Sequence, residues 1–312
     1  MKILLIRNDN LGDLICTTPS IEALRKKYPD AQIDIVVNSY NFLGIRNNPF
    51  VDNIYIYTKP KHVKGIGEKL KALFGKIKIF NGIRKEKYDV SVVFRSEYSP
   101  SAEQFSNISK AKMRIGVKDK KGRDKFTIHI KPDNNKHEIE FCYDFLKPLE
   151  VEYNNEKPYF YVENEYIKKY KHLKSAIHFH ISSRLNENQY SKEKFKKIID
   201  NLKYEKIIIT AEPKDFDDAE WLEKNTKASF IKTKSLLDLA GIISNDKLFV
   251  TLDGGALHIA PALGIKTIAI SGKTNMNKWY PWGYKNLVIQ DESKIAENIE
   301  PEIIIKKVEE NI

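Results

Sequence analysis

Residues 2–37 read KILLIRNDNLGDLICTTPSIEALRKKYPDAQIDIVV. Lys2–Arg7 is an apolar run of strand length. Pro19–Lys27 reads as a helix that ends before Tyr28-Pro29, and Gln32–Val37 is a second strand. Continuous apolar strands separated by a helix point to parallel strands buried on both faces. An acid, Asp13, follows Gly12 at the mouth of the first strand-to-helix turn. A carboxylate there can cap the helix or face a ligand bound at the carboxyl end of the strand.

The same pattern continues outward. Asn53–Tyr57, Tyr88–Phe94 and Met113–Val117 read as strands, and Glu138–Pro148 resumes a helical period after polar text around Asp133–His137. A second series follows, with strands at Ser175–Ile181, Lys206–Thr210, Ser229–Ile231, Lys247–Thr251 and Thr267–Ile270. Helices at Lys192–Leu202, Asp217–Asn225, Leu236–Ser244 and Gly255–Leu263 alternate with them, and Pro301–Asn311 closes the chain as a helix. The expected architecture is α/β, with two Rossmann-like doubly wound domains, 1–160 and 161–312, joined near residues 150–165. The last helix is free to return to the first domain. Ligands of such sheets bind at the carboxyl ends of the strands, so the cleft between two halves is the expected site.

With 312 residues, 41% hydrophobic and 30% charged, the chain is long enough for two globular domains. No apolar run approaches the roughly 18–20 residues that span a bilayer. The sequence opens directly on a strand, so no secretory leader is expected. Cys16 and Cys142 lie far apart and form no metal pattern; they read as buried small hydrophobes in a reducing compartment, the cytoplasm. The net charge is +11, and Lys59–Lys87 carries ten Lys and Arg against Glu68 and Glu86. Leucines, isoleucines and phenylalanines interleave with these lysines. That reads as a basic amphipathic segment suited to an anionic membrane surface or an acidic substrate; a solvated lysine face is the plain alternative. No aromatic- and Arg-rich module for nucleic acid is present, so nucleic acid is not an expected partner.

Thr251–Gly283 reads TLDGGALHIAPALGIKTIAISGKTNMNKWYPWG. A strand ends, Asp253, Gly254 and Gly255 turn, and a helix opens with Ala256, Leu257 and His258. Glycines at a helix start let backbone N–H groups approach an anion, and the helix dipole favours a phosphate there. The segment is neither G-x-G-x-x-G nor a P-loop, and it lacks the Lys-Ser/Thr pair for a triphosphate with magnesium. A diphosphate without an essential metal fits better, and a nicotinamide dinucleotide fits poorly. His178 and His180 alternate within a strand and are expected on opposite faces, with no third metal ligand nearby. Trp279 and Trp282 read as packing for the final loop.

The combination D-x-G-x-x-H-x-A-x-A-L-G, S-G-x-T-N and W-x-P-x-G resembles the nucleotide-sugar motif of glycosyltransferase family 9, the heptosyltransferase family. At the N-terminus, R-x-x-x-x-G-D, T-x-P and P-x-A-x-I resemble the family's opening. The likeness runs over Met1 to about Tyr57 and Ser175 to Gly283, and little aligns from Lys59 to about Leu173. It implies a GT-B fold, two Rossmann-like domains facing a central cleft. It also implies inverting, metal-independent transfer of a sugar, by default heptose from ADP-heptose, with no cofactor. The implied acceptor is a phosphorylated glycolipid or glycan, the core of lipopolysaccharide or lipooligosaccharide or another envelope glycan. Another nucleotide sugar is the alternative, as is a doubly wound nucleotide-binding enzyme that is not a glycosyltransferase.

The resemblance also implies roles for individual residues. Asp13, the acid of the G-D pair, is the general base, with Gly12 beside it as an acceptor or phosphate candidate. Gly254, Gly255 and Ala256 supply N–H groups to the diphosphate. Asp253 lies near the donor sugar, and His258 contacts the donor. In HISSRLNENQYSKEKF, residues 180–195, Ser182 matches an early Ser or Thr of the family. The family's basic residue before Trp-Pro is Gln189 here, and the Trp-Pro is Tyr190-Ser191. Arg184 is the replacement phosphate ligand, with Lys192 a further candidate. Glu212 matches an acid near the ribose. The expected location is cytoplasmic, peripheral to the inner face of the cytoplasmic membrane, with contact through Lys59–Lys87.

Overall fold

A computed structural model of the chain describes residues 1–60 and 63–312. The chain divides into two compact units, Met1–Tyr161 and Val162–Ile312. In the first, the elements run β1 (Lys2–Ile6), α1 (Leu11–Lys27), β2 (Gln32–Asn38), β3 (Asn53–Tyr57), α2 (Ile66–Glu86) and β4 (Val90–Val93). They continue with α3 (Pro100–Ser109), β5 (Met113–Val117), β6 (Ile128–Ile130) and α4 (Glu138–Asp144). The second unit begins with α5 (Asn164–Lys169), β7 (Ile177–His180), α6 (Lys192–Asn201), β8 (Ile207–Thr210) and α7 (Phe216–Asn225). It continues through β9 (Ser229–Phe230), α8 (Leu236–Ile243), β10 (Leu248–Leu252), α9 (Ala256–Ala262) and β11 (Thr267–Ser271). It closes with α10 (Met276–Trp279), β12 (Val288–Gln290) and α11 (Pro301–Glu309).

Each unit is built on a six-stranded sheet, β3-β2-β1-β4-β5-β6 in the first and β12-β11-β10-β7-β8-β9 in the second. Every pairing is parallel. The central strands β1 and β10 are apolar along their buried length except for Thr251, because helices cover both faces and no alternation with solvent is needed. The strand order reverses between β1 and β4 and again between β10 and β7. At such a reversal the flanking loops part and leave room for a ligand at the carboxyl ends.

The first helix corrects the sequence reading. It starts at Leu11, not Pro19, and Pro19 lies in its interior. A proline there removes the N–H that would bond the Ile15 carbonyl four residues back. The Thr18 hydroxyl takes that place, donating to the Ile15 carbonyl at 2.7 Å. Asp13 is therefore a first-turn helical residue rather than a loop residue. A second correction concerns β7. His178 and His180 share one face, as residues two apart in a strand must, and both ring systems lie against Phe249. The final helix buries Ile304 and Val308 in the core of the second unit, with Phe195, Ile198 and Leu248. Both cysteines are free and buried. Among the described residues, no helix is long and apolar enough to cross a membrane.

Candidate functional site

Two groups of polar side chains stand at the carboxyl ends of the sheets, one in each unit. In the first unit the centre is Arg7, the residue after β1, whose side chain is fully buried. Its Nη1 donates to the carbonyl of Phe94 at the end of β4, at 2.7 Å. Its Nη2 donates to Asp13 Oδ1 at 2.7 Å and to Glu138 Oε1 at 2.8 Å. Its Nε lies 2.9 Å from Asp9 Oδ1. Burial disfavours the cation, but Asp9, Glu138 and Asp13 outweigh it and hold Arg7 charged. One guanidinium thus ties the ends of two strands to the first turns of two helices.

Glu138 is delivered by α4, whose start is fixed by a capping box between His137 and Glu140. Its second oxygen accepts from Ser96 Oγ at 3.2 Å. Asp13 has its other oxygen held by Asn10 Nδ2 at 3.1 Å, and its side chain keeps 15% exposure. Burial pushes the Asp9 carboxyl up to about 7, against the pull of Arg7. Gly12 is buried in the first turn of α1. Asp13 is a carboxylate aimed by fixed donors yet open on one side, a geometry suited to accepting a proton.

In the second unit, the loops after β7, β8, β10 and β11 converge on Asp253. Asn188 Nδ2 donates to Asp253 Oδ2 at 3.0 Å, and Thr274 Oγ1 donates to the same oxygen at 2.8 Å. The buried Asn188 also accepts from the Gly272 N–H at 2.8 Å. A Cβ at Gly272 would strike the Glu187 carbonyl and lie 2.9 Å from the Ala296 nitrogen, so only glycine allows this approach. Ser183 Oγ donates to the Asp253 carbonyl at 2.8 Å. Ser182 Oγ accepts from the Glu212 N–H at 2.7 Å and so joins the loops after β7 and β8. The Glu212 side chain itself is exposed.

Asp253, Gly254 and Gly255 lead into α9. Gly255 has φ −61°, an ordinary helical value, so conformation alone does not demand glycine there. A Cβ at Gly254 would meet nothing within 4 Å; the backbone there is approachable from outside. The N–H groups of Gly254, Gly255 and Ala256 precede the first intrahelical bonds and point out of the helix start. His258 is 8% exposed and meets the Trp279 ring edge-on at 5.8 Å between centroids. Tyr280 stacks on Trp282 at 6.0 Å. The W-x-P-x-G segment thus packs upon α9 through Trp279.

The basic candidates separate. Arg184 is exposed on the loop after β7. Lys192, first in α6, bonds Asp218 at 2.9 Å and lies 5.5 Å above Trp221. It lines a cavity of about 350 Å³ together with Ser183 and Tyr190. Lys214, absent from the sequence reading, donates to the Ser183 carbonyl. Asn188 was missed as well: its partners are 65 and 86 positions away, beyond any local pattern. Behind the site runs a buried chain, from Asp246 Oδ2 to His178 Nδ1 at 2.6 Å and from His178 Nε2 to Thr210 Oγ1 at 2.6 Å. Thr210 Oγ1 continues to His180 Nδ1 at 2.9 Å. Burial lowers both imidazoles to about 3 and keeps them neutral. Among the described residues, no group of three or more His, Cys, Asp or Glu could hold a metal ion.

Two doubly wound parallel units, each with a polar cluster at its carboxyl edge, are the two halves of a GT-B fold. The chain belongs to glycosyltransferase family 9 (heptosyltransferase), whose sequence profile matches residues 76–308, and it is a glycosyltransferase. That match crosses the middle of the chain, where the sequence reading found little to align. Lipopolysaccharide heptosyltransferase 3 of Escherichia coli K12 is 25% identical over 297 residues, which cover 87% of this chain and 82% of that protein. The crystal structure of a family 9 glycosyl transferase from Veillonella parvula superposes with a TM-score of 0.85 at 20% identity, covering 99% of this chain and 96% of that one. E. coli heptosyltransferase WaaC with ADP-2-deoxy-2-fluoro heptose gives 0.74 at 16% identity, with both chains fully covered.

Proposed function

We propose that this enzyme transfers heptose from ADP-heptose to a phosphorylated lipopolysaccharide-type core acceptor, with inversion and without a metal. The observation that carries the reading is the Asp253 loop of a family 9 chain, braced by Asn188, Thr274 and Gly272. A relative of this chain bears the name lipopolysaccharide heptosyltransferase, and a structural neighbour was solved with an ADP-heptose analogue. In the proposed reaction an acceptor hydroxyl attacks the anomeric carbon as the bond to the diphosphate oxygen breaks. ADP leaves, and Asp13 takes the hydroxyl proton. The anomeric carbon passes through an oxocarbenium-like state, as in glycoside hydrolysis.

Charge grows on the leaving diphosphate, and fixed donors are what stabilise it. The N–H groups of Gly254, Gly255 and Ala256 supply them in this reading. Arg184 is the mobile cation, being exposed beside Ser182 and Ser183, whereas Lys192 is already committed to Asp218. Asp253 accepts hydrogen bonds from the donor sugar, His258 flanks it, and Glu212 accepts from the ribose. Cytoplasmic residence at the inner face of the membrane follows from such an acceptor.

The test is thermal unfolding with ADP, UDP, GDP, CMP and NAD, each with and without magnesium. A ligand of the native state raises the melting temperature by mass action, by about 2.7 kcal/mol of stability at a hundred times Kd. A shift with ADP that magnesium leaves unchanged supports the reading. A shift with UDP or GDP in its place keeps the glycosyltransferase and replaces the donor.

A further inference from the structure

The lysine-rich stretch, apart from Lys61 and His62 outside the described residues, forms α2 and its approach. The helix has two separate apolar faces. One packs inward: Ala72 and Ile83 are buried, and Phe80 meets Phe105 at 5.1 Å between rings. The other is uncovered: Ile66 is 80% exposed, Leu70 48%, Leu73 47%, Phe74 67% and Ile77 44%. At about 100° per residue these five form one stripe roughly 100° wide, centred roughly 140° from the buried Ala72 and Ile83. Lys69 borders it on one side, and Lys71 and Lys78 on the other. Glu68 and Glu86 both point away from it on the same wheel. Glu68 bonds Lys71 at 2.7 Å, an exposed pair of little strength.

A helix face meant for water does not set five large apolar side chains in line. A face meant for a second copy of this chain would set cationic borders against cationic borders. An apolar stripe between lysine rows fits an anionic bilayer: the apolar side chains enter the acyl boundary while ammonium groups meet headgroup phosphates. With its charged flanks, α2 can lie on a membrane but not span it. We propose that α2 is a membrane-docking helix, lying in the interface of an anionic bilayer with the Ile66–Ile77 stripe inserted. This surface is independent of which nucleotide sugar the enzyme uses, so it stands or falls apart from the donor assignment.

The experiment is co-sedimentation of the full chain with phosphatidylcholine vesicles and with vesicles containing phosphatidylglycerol, at low and high salt. The wild type should bind the anionic vesicles, release in high salt, and leave neutral vesicles largely unbound. Leu73→Ser with Phe74→Ser should lower partitioning roughly thirty-fold or more. Lys69→Glu with Lys78→Glu should lower it roughly tenfold or more on anionic vesicles alone. Thermal unfolding of each variant verifies that the unit still folds. Equal binding to neutral and anionic vesicles overturns the proposal, as does unchanged binding of the serine variant. So does a concentration-dependent dimer in gel filtration that the serine variant abolishes.

Discussion

Asp13 is one of three carboxylates gathered round a single buried guanidinium, and its chemistry depends on that company. Replacing it by asparagine keeps the shape and the bond from Arg7 but removes the proton acceptor of the proposed reaction and one charge beside buried Arg7. Asp13→Asn should lower kcat by about 10²–10⁴ and lower the melting temperature while leaving the ADP-induced shift unchanged; steady-state kinetics beside thermal unfolding checks these. In the proposed reaction Glu138, bonded to Arg7, acts through it as a positioning residue. Glu138→Gln should lower kcat about tenfold with little change in donor KM, since the Arg7 ring of contacts survives but loses a charge. In the second unit Gly272 is tightly enclosed by backbone. Gly272→Ala should cost more than about 3 kcal/mol in chemical denaturation, because the colliding atom is the Glu187 backbone rather than a movable side chain. The places of Asp13, Asp253 and the Gly254-Gly255 pair, each between a strand and the helix after it or in that helix's first turn, were legible in the sequence, because short motifs carry them. The approach of Glu138 to Arg7, and the contacts of Asn188 and Lys214, were not, because the partners are distant in sequence.

At the scale of elements, the central strands and the edge strands β3 and β9 announced themselves, and the edge strands β6 and β12 did not. β6 and β12 have three residues each, too few for a period to register. α1 was read short because Pro19 resembles a helix start; only the Thr18 hydroxyl at the Ile15 carbonyl explains its place inside. β7 holds the clearest pH-dependent element. His178 and His180 sit near 3 in the folded chain, against an ordinary value near 6.5. Between these values the unfolded chain binds protons that the folded chain refuses. For His180 the stabilisation is therefore complete above about pH 6.5 and is lost as pH falls toward 3, with a slope of up to about 1.4 kcal/mol per pH unit. At His178 the bonded Asp246, whose carboxyl burial pushes up, works in the opposite direction. His180→Asn should flatten the fall of stability over that window, as read by urea unfolding at a series of pH values. An unchanged slope would place the acid sensitivity elsewhere.

At the scale of the whole molecule, the repeated alternation of apolar strands with helices was enough to read two doubly wound halves. Both sheets have the same strand order, reversing beside the first strand of each unit. In the proposed reaction the chemistry divides between them: Asp13 accepts the proton in one, and the turn at Asp253–Ala256 receives the anion in the other. The decisive measurement is turnover of ADP-heptose with a phosphorylated core glycolipid in the presence of a chelator, followed by mass spectrometry and the anomeric configuration of the product. ADP release coupled to a heptosylated acceptor of inverted configuration is expected, absent in Asp13→Asn. Retained configuration, loss of turnover on chelation, or full turnover by Asp13→Asn would contradict the proposed reaction.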